Sequence, residues 1–213
     1  MDKIDYKKAF KDLYQPGAKP SKILVPEMTF LMVDGKGDPN APDGEFTEAV
    51  SLLYALAYTI KMSKMGGREL KGYVEYIVPP LEGFWAYDDG EPFRFGGNAH
   101  FIWTAVIRQP DFVTPSVFEW AVSEVHKKKP GLDASKARLE TFKEGLCVQC
   151  LHIGPYAAEP ETVEKMNVFM RENALVPDFS AARRHHEIYL GDPRKSDPAK
   201  LKTVVRHPVK AAI

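Results

Sequence analysis

A single glutamate stands in the middle of an otherwise apolar segment, HHEIYL, near the C-terminal end of the chain. Alternation along a strand places His186 and the aliphatic side chains on one face and Glu187 with Tyr189 on the other. Burial raises the pKa of a carboxyl group unless a hydrogen bond or a cation compensates. Glu187 is therefore predicted to act as a general base or to receive a cationic group of a ligand. The competing interpretation is a solvent-facing position at a sheet edge.

Aromatic side chains are spaced so that several of them can line one pocket. Trp85 and Tyr87 share a face of one predicted strand, and Phe101 and Trp103 share a face of the next. If these strands pair as a hairpin, Trp85 and Trp103 lie across from one another. Such a pair is ordinarily core, but buried tyrosine hydroxyls need partners, and a pocket wall accommodates them more easily than a dry core. The other tyrosines assigned to the pocket or its chemistry are Tyr54, Tyr58, Tyr76 and Tyr156.

Familiar catalytic and metal-binding motifs are missing from the sequence. The six histidines do not have the spacing of a metal site, and no G-x-S-x-G elbow occurs. The loop GKGDPN lacks the lysine and the hydroxyl residue of a phosphate-binding loop. Cys147 and Cys150 lie in LCVQCLHI, whose strand pattern puts them on opposite faces, so they are predicted to be packing thiols. We expect neither a metal nor a cofactor.

Composition narrows the class of protein. The 213 residues are 44% hydrophobic, enough for a sizeable core, and 29 basic residues balance 29 acidic ones. A neutral chain has no global field that attracts nucleic acid or anionic membranes. The sequence contains no signal-peptide pattern and no run of roughly 20 apolar residues. We therefore expect a soluble, cytoplasmic protein with a small hydrophobic aromatic ligand and no nucleic acid or membrane partner.

Strand and helix patterns must position the residues above. Residues 1–25 are polar and interrupted by proline and glycine, which predicts an arm on the surface. The remaining residues, 26–213, are predicted to form one domain whose first half, residues 26–110, runs strand, helix, strands. Its elements are predicted at Met28–Val33, Glu45–Met62, Tyr73–Val78, Leu81–Tyr87 and His100–Ile107.

Helical patterns over residues 114–144 link the first half to the second, which spans residues 145–213. The first linking helix begins at Thr114-Pro115, and the second is predicted over Asp133–Lys143. The elements of the second half are predicted at Leu146–Ile153, Glu161–Asn173, His185–Leu190 and Leu201–Pro208.

The two halves repeat each other weakly. Gly35 and Gly154 end corresponding first strands about 119 residues apart, and VEYIVPP resembles HEIYLGDP, which makes Glu75 the partner of Glu187. Two strand-helix-strand-strand units pair naturally about a pseudo-twofold axis and leave a concave seam, where pockets tend to form. The predicted fold is thus α+β, with duplicated units, antiparallel sheets and a central ligand cavity.

Longer segments resemble a known family. LHIGPYAAEPETVEKM and HHEIYLGDPRKSDPAKLKTVVRHPV are similar to the C-terminal half of the GyrI-like small-molecule-binding proteins. VPEMTFLMVDGKGDPN, LLYALAYTIKMSK, YVEYIVPPLEGFWAY and FIWTAVIRQPDFVT resemble a stand-alone subfamily without a DNA-binding domain. The resemblance runs from Val25 over nearly the whole chain. It implies a cavity for hydrophobic, often cationic or planar compounds, with Glu187 inside it.

The resembling subfamily includes cyclopropanoid cyclopropyl hydrolases, which open the strained ring of DNA-alkylating compounds inside an aromatic cage. The resemblance therefore implies a detoxifying hydrolase that confers drug resistance. Glu187 would deprotonate water for attack on the ring carbon, and Tyr54 or Tyr58 would donate to the carbonyl oxygen as it becomes a phenolate. The flat body of the compound would stack on Trp85 and Trp103. The alternative is a protein that binds or senses aromatic drugs without catalysis.

Overall fold

A computed structural model of the chain describes residues 3–88, 100–193 and 195–212. Its strands are β1 (Ser21–Lys36), β2 (Leu81–Tyr87), β3 (Phe101–Arg108), β4 (Ala137–Ile153), β5 (Leu175–Pro177), β6 (His185–Tyr189) and β7 (Lys202–Ala211). The α-helices within these residues are α1 (Tyr6–Ala9), α2 (Lys11–Tyr14), α3 (Glu45–Lys61), α4 (Pro115–Lys128) and α5 (Glu159–Glu172). Among them, none is long and apolar enough to cross a bilayer.

All strand pairs are antiparallel, and six of the strands form a closed ring. The order is β4-β1-β3-β2-β6-β7, and β7 pairs with β4 again, while β5 extends the sheet from β7. Trp85 pairs with Trp103 across β2 and β3, as the alternation predicts. Gly83 pairs with Glu187 across β2 and β6. The fold is therefore α+β and antiparallel as expected, but the strands form one barrel-like sheet.

Helices cover the outer face of the ring. Side chains at every second position of the strands form one buried cluster with α3 and α4, around Leu53, Trp85 and Trp103. A second outer cluster packs α5 against β4 and β7, with Met166 and Val205 at its centre. The amphipathic pattern of each helix accounts for this arrangement, since its apolar stripe is buried against the apolar face of the strands.

The inner face of the ring is closed by the N-terminal segment. Tyr6, Leu13 and Tyr14 are buried in one cluster with inner-face side chains such as Phe84 and Ile188. This differs from the surface arm expected for residues 1–25, and β1 begins at Ser21, inside that range. Tyr6, Leu13 and Tyr14 anchor the segment, with Phe10 packed against the same cluster, because each buried side chain removes a large apolar area from water.

Two predicted elements take another form. Tyr73–Val78 is not a strand, apart from one bridge between Ile4 and Tyr76, and Pro79 and Pro80, which cannot donate to a ladder, separate it from β2. Asp133–Lys143 is not a helix but a short 3₁₀ turn followed by the start of β4 at Ala137. Its helix-forming leucine, glutamate and lysine are overridden by pairing with β1, which begins at Ala137. The second half therefore begins earlier than residue 145.

Candidate functional site

Strand β6 carries three polar side chains on the outer face of the ring. Glu187 Oε1 lies 2.9 Å from His185 Nε2, and the Tyr189 hydroxyl donates to Glu187 Oε2 at 2.8 Å. Trp85 Nε1 on the neighbouring strand β2 donates to the Tyr189 hydroxyl at 3.1 Å. The Glu187 side chain is 12% exposed. A nearly buried carboxylate is thus held by hydrogen bonds against the edge of an indole ring.

A second carboxyl group, Glu159 at the first position of α5, lies beside Glu187. Glu159 is 2% exposed, and its Oε1 has no hydrogen-bond partner among the described residues. Burial, followed by the charge of Glu187, raises the pKa of Glu159 well above its ordinary value. Two carboxylates in one buried site cannot both ionise cheaply. We call Glu159 and Glu187 the acid pair. Their proximity favours a protonated Glu159 next to Glu187.

Two histidines extend the hydrogen-bond chain away from the acid pair. His185 Nδ1 lies 2.7 Å from His207 Nε2 on β7, and both rings are buried. Burial and the nearby His185 lower the pKa of His207 well below its ordinary value, so this ring stays neutral. A neutral imidazole has one donor and one acceptor nitrogen, which fixes how the two rings share their protons. The chain His207–His185–Glu187 can pass a proton away from the carboxylate.

Aromatic rings surround the acid pair on two sides. The Tyr156 ring, in a 3₁₀ turn before α5, meets Tyr189 edge-on with 6.0 Å between centroids. On the other side, the ring centroids of Phe46 and Phe101 lie 5.3 and 5.4 Å, respectively, from that of Trp85. Burial, followed by the charge of Glu187, raises the pKa of Tyr156 to about 12. Its hydroxyl therefore keeps its proton at neutral pH and can donate it in a hydrogen bond.

The structure brings together part of the predicted site. Glu187, Trp85 and Phe101 are in one connected group, which Tyr156 joins through Tyr189.

Trp103 is connected to this group through the ring of Phe46, which contacts both Trp85 and Trp103. It packs edge-on against Phe46, with 5.0 Å between ring centroids, and over Gly35. It is 1% exposed, and its Nε1 has no hydrogen-bond partner within residues 3–88, 100–193 and 195–212.

The other predicted residues lie elsewhere. Tyr76 is fully buried in the inner-face cluster near Phe112, and Glu75 is exposed in the segment before β2. Tyr54 and Tyr58 pack beside each other on α3, with 6.3 Å between ring centroids, and Tyr58 is 50% exposed. In the described part of the chain, the Glu187 carboxylate bonds to His185 and Tyr189 rather than to these two hydroxyls.

Sequence reasoning missed Glu159, His185, Tyr189 and His207 as members of the site. Period-two alternation from Glu187 places His185 and Tyr189 on its face, so this signal was available. Glu159 and His207 have no such signal, because α5 and β7 reach β6 only through the closure of the sheet.

The same side chains are also potential ligands of a cation. Ligand atoms of Glu159, His185 and Glu187 all lie within 4.8 Å of one another, which singles this group out among the described residues. Carboxylate and imidazole are ordinary ligands of divalent metals. Histidine spacing in the sequence does not reveal such a group.

A barrel-like α+β fold with a buried, ring-bordered polar site is typical of a small-molecule-binding domain. The model of the GyrI-like small-molecule-binding domain matches residues 18–210. The chain belongs to the GyrI-like family, as its sequence resemblance predicts.

Solved structures agree with this assignment. A hydrolase from Listeria innocua is 52% identical, with a TM-score of 0.88 over 98% of this chain and 100% of that one. An uncharacterized conserved protein from Listeria innocua has the same identity and coverage and a TM-score of 0.92. The EcmrR C-terminal domain, 13% identical with a TM-score of 0.53 over 91% of this chain and 98% of that one, shares the fold. None of the curated proteins matches the chain.

Proposed function

We propose that this chain binds planar hydrophobic compounds at the acid pair and hydrolyses the cyclopropane of DNA-alkylating agents. The observation that carries the proposal is the contact between Glu159 and Glu187 beside Trp85. A general base needs an ionised carboxylate within a site that excludes bulk water. The hydrolase from Listeria innocua that is 52% identical supports an enzymatic role.

The mechanism begins with a water molecule placed between Glu187 and the cyclopropane carbon. Glu187 accepts a proton from this water as its oxygen bonds to the ring carbon. The strained carbon–carbon bond breaks, and its electron pair flows through the conjugated dienone to the carbonyl oxygen, which becomes a phenolate. A hydroxyl donor stabilises that oxygen by a hydrogen bond, and the phenolate then takes a proton from solvent, so the net change is addition of one water molecule.

Tyr156 is the hydroxyl donor that the geometry favours over Tyr54 and Tyr58. Its ring contacts Tyr189, which is itself bonded to Glu187, and its raised pKa keeps the proton on the hydroxyl while this hydroxyl donates a hydrogen bond to the developing phenolate. After product leaves, the proton on Glu187 returns to solvent through His185 or directly.

Glu159 keeps the negative charge of the site at one rather than two. A protonated Glu159 can donate to Glu187 and hold it in the ionised form that accepts the proton of water. The oxygen of Glu159 that lacks a partner is available to a polar group of the ligand.

Time-resolved mass spectrometry with a cyclopropane-bearing alkylator in H₂¹⁸O tests the proposal. We expect many turnovers per protein molecule, and a product that is heavier by one labelled water. Glu187→Gln should lower the rate about 10²- to 10⁴-fold. Glu75→Gln is the matched control, because Glu75 is exposed and outside the acid pair, and it should leave the rate unchanged. Equal rates for all three proteins would remove Glu187 from the base role.

A non-catalytic role in binding or sensing is the second candidate, and the family description as a small-molecule-binding domain favours it. In that case the alkylator would be recovered unchanged from a stoichiometric complex. Such a result would reject hydrolysis and retain binding.

A further inference from the structure

A cavity of about 580 Å³ opens on the inner face of the sheet, away from the acid pair. Met32, Phe84, Ile102 and Phe142 supply its apolar wall. Phe84 follows Gly83 and precedes Trp85 on β2, so its side chain points to the opposite face from the Trp85 indole. The lining of the cavity includes neither Glu159 nor Glu187, although Trp103 borders it, and its volume is ordinary for a small-molecule pocket.

The acidic side chains at this cavity already have cationic or hydrogen-bonding partners. Arg138 Nη1 lies 2.5 Å from Asp34 Oδ2, and Arg138 Nε lies 2.7 Å from Glu140 Oε2. The Thr104 hydroxyl donates to Asp34 Oδ1 at 2.6 Å. Arg138 thus serves Asp34 and Glu140, and the third carboxylate of the cavity, Glu45, accepts from the backbone N–H of Lys36 at 3.3 Å.

Arg184 lines this cavity and makes no ion pair in the part of the chain that the structure describes, although the charge of Asp34 acts on it from beyond ion-pair distance. Its Nε donates to the Ala181 carbonyl at 3.0 Å, and its Nη1 donates to the Thr104 hydroxyl at 3.4 Å. No carboxylate among the described residues lies within ion-pair distance of it. Burial lowers the pKa of Arg184 because it removes the charged guanidinium from water. An anion in contact with the guanidinium would stabilise this charged form.

We infer that this cavity binds an organic monoanion with an aromatic or aliphatic body. The carboxylate or similar group pairs with the Arg184 guanidinium, whose planar fork suits bidentate binding of a carboxylate. The body lies against Phe84, Phe142 and Met32. An anion is unsuited to the other site, where the Glu187 carboxylate already carries a negative charge.

Calorimetric titration with naphthalene-2-carboxylate and with the neutral naphthalene-2-carboxamide tests this inference. Since a charge-assisted hydrogen bond is worth about 1.5–3 kcal/mol, the carboxylate should bind at least about tenfold more tightly than the amide. Arg184→Met should abolish this preference, and Arg184→Lys should keep part of it. Arg171→Met is the matched control, because Arg171 is an exposed arginine paired with Glu164 on α5, and it should change nothing.

Glu187→Gln keeps this test independent of the proposed function, since it should leave naphthalene-2-carboxylate binding intact. The circular dichroism spectrum and the melting temperature of each variant show that it is folded. Equal affinity for acid and amide, unchanged affinity in Arg184→Met, or loss of binding in Glu187→Gln would each overturn the inference.

Discussion

The Glu144 carboxylate is buried inside the ring of strands and contacts two cationic side chains. Its Oε2 lies 3.1 Å from Arg206 Nη1 and 3.1 Å from His186 Nδ1, and His186 Nε2 reaches Glu82 Oε2 at 2.9 Å. Burial alone would raise the pKa of Glu144, but the charges and hydrogen bonds of His186 and Arg206 outweigh it and bring the pKa to about 2. We predict that Glu144→Gln strongly destabilises the protein.

The size of the effect follows from the two protonation equilibria. The difference between the ordinary value of 4.5 and about 2, at about 1.4 kcal/mol per pH unit, is worth about 3 kcal/mol near neutral pH. Breaking one partner of a buried ion pair costs about 3–5 kcal/mol in other proteins, in agreement with this figure. Because the folded pKa is lowered, the contribution is complete above pH 4.5 and disappears as the pH falls through about 2. At pH 3 about 1.5 kcal/mol should remain.

Urea unfolding of the wild-type chain and of Glu144→Gln at pH 6 and pH 3 measures this contribution. We expect the difference in unfolding free energy to be about 3 kcal/mol at pH 6 and about half of that at pH 3. Comparing two proteins at each pH cancels the titration of the other carboxyl groups. A difference below about 0.5 kcal/mol at pH 6, or one that does not change with pH, would refute the role assigned to Glu144.

Three further changes have expected outcomes. Gly35→Ala should lower the unfolding free energy by about 1–3 kcal/mol, because its Cβ would lie 2.1 Å from the Trp103 ring; an unchanged urea midpoint would contradict this close packing. Tyr14→Phe should cost about 1.5–3 kcal/mol in the same assay, since it removes the 3.2 Å hydrogen bond to the buried Glu82 carboxylate. Glu159→Gln should raise the melting temperature at pH 7 but not below pH 4.5, because a raised folded pKa means that wild-type stability is lost as the pH rises. A melting temperature of Glu159→Gln equal to wild type at every pH would show that Glu159 is not buried as an acid.

The sequence predicts local elements well where the pattern is unambiguous. The alternation in β2 and β3 predicts that Trp85 faces Trp103, and the two residues pair in the structure. The segment Asp133–Lys143 illustrates the opposite case, since its side chains favour a helix while pairing with β1 requires a strand. Such a long-range pairing decides between the two and cannot be inferred from the segment alone.

Sequence alternation predicts only those site residues that lie on one strand. Alternation is enough to single out Glu187 in β6, but Glu159 and Trp85 reach it from α5 and β2. Tyr54 and Tyr58 lie one turn apart on a predicted helix, and nothing in that spacing indicates which side of α3 faces β6. Placing them requires the closure of the ring, which is set by the pairing of β4 with β7.

The two faces of β6 explain why a five-residue strand contains so many ionisable groups. On its outer face, His185 contacts Glu187 of the acid pair. On its inner face, His186 contacts Glu82 and Glu144. A closed ring buries both faces, so each polar side chain must find a partner on its own side. A shift by one residue would move all of them to the wrong face and leave several buried charges unpaired. The hydrogen bonds of His186 with Glu82 and Glu144 therefore fix the register of β6 that places Glu187. A substitution that breaks these bonds should also change the position of Glu187, because both residues belong to the same strand.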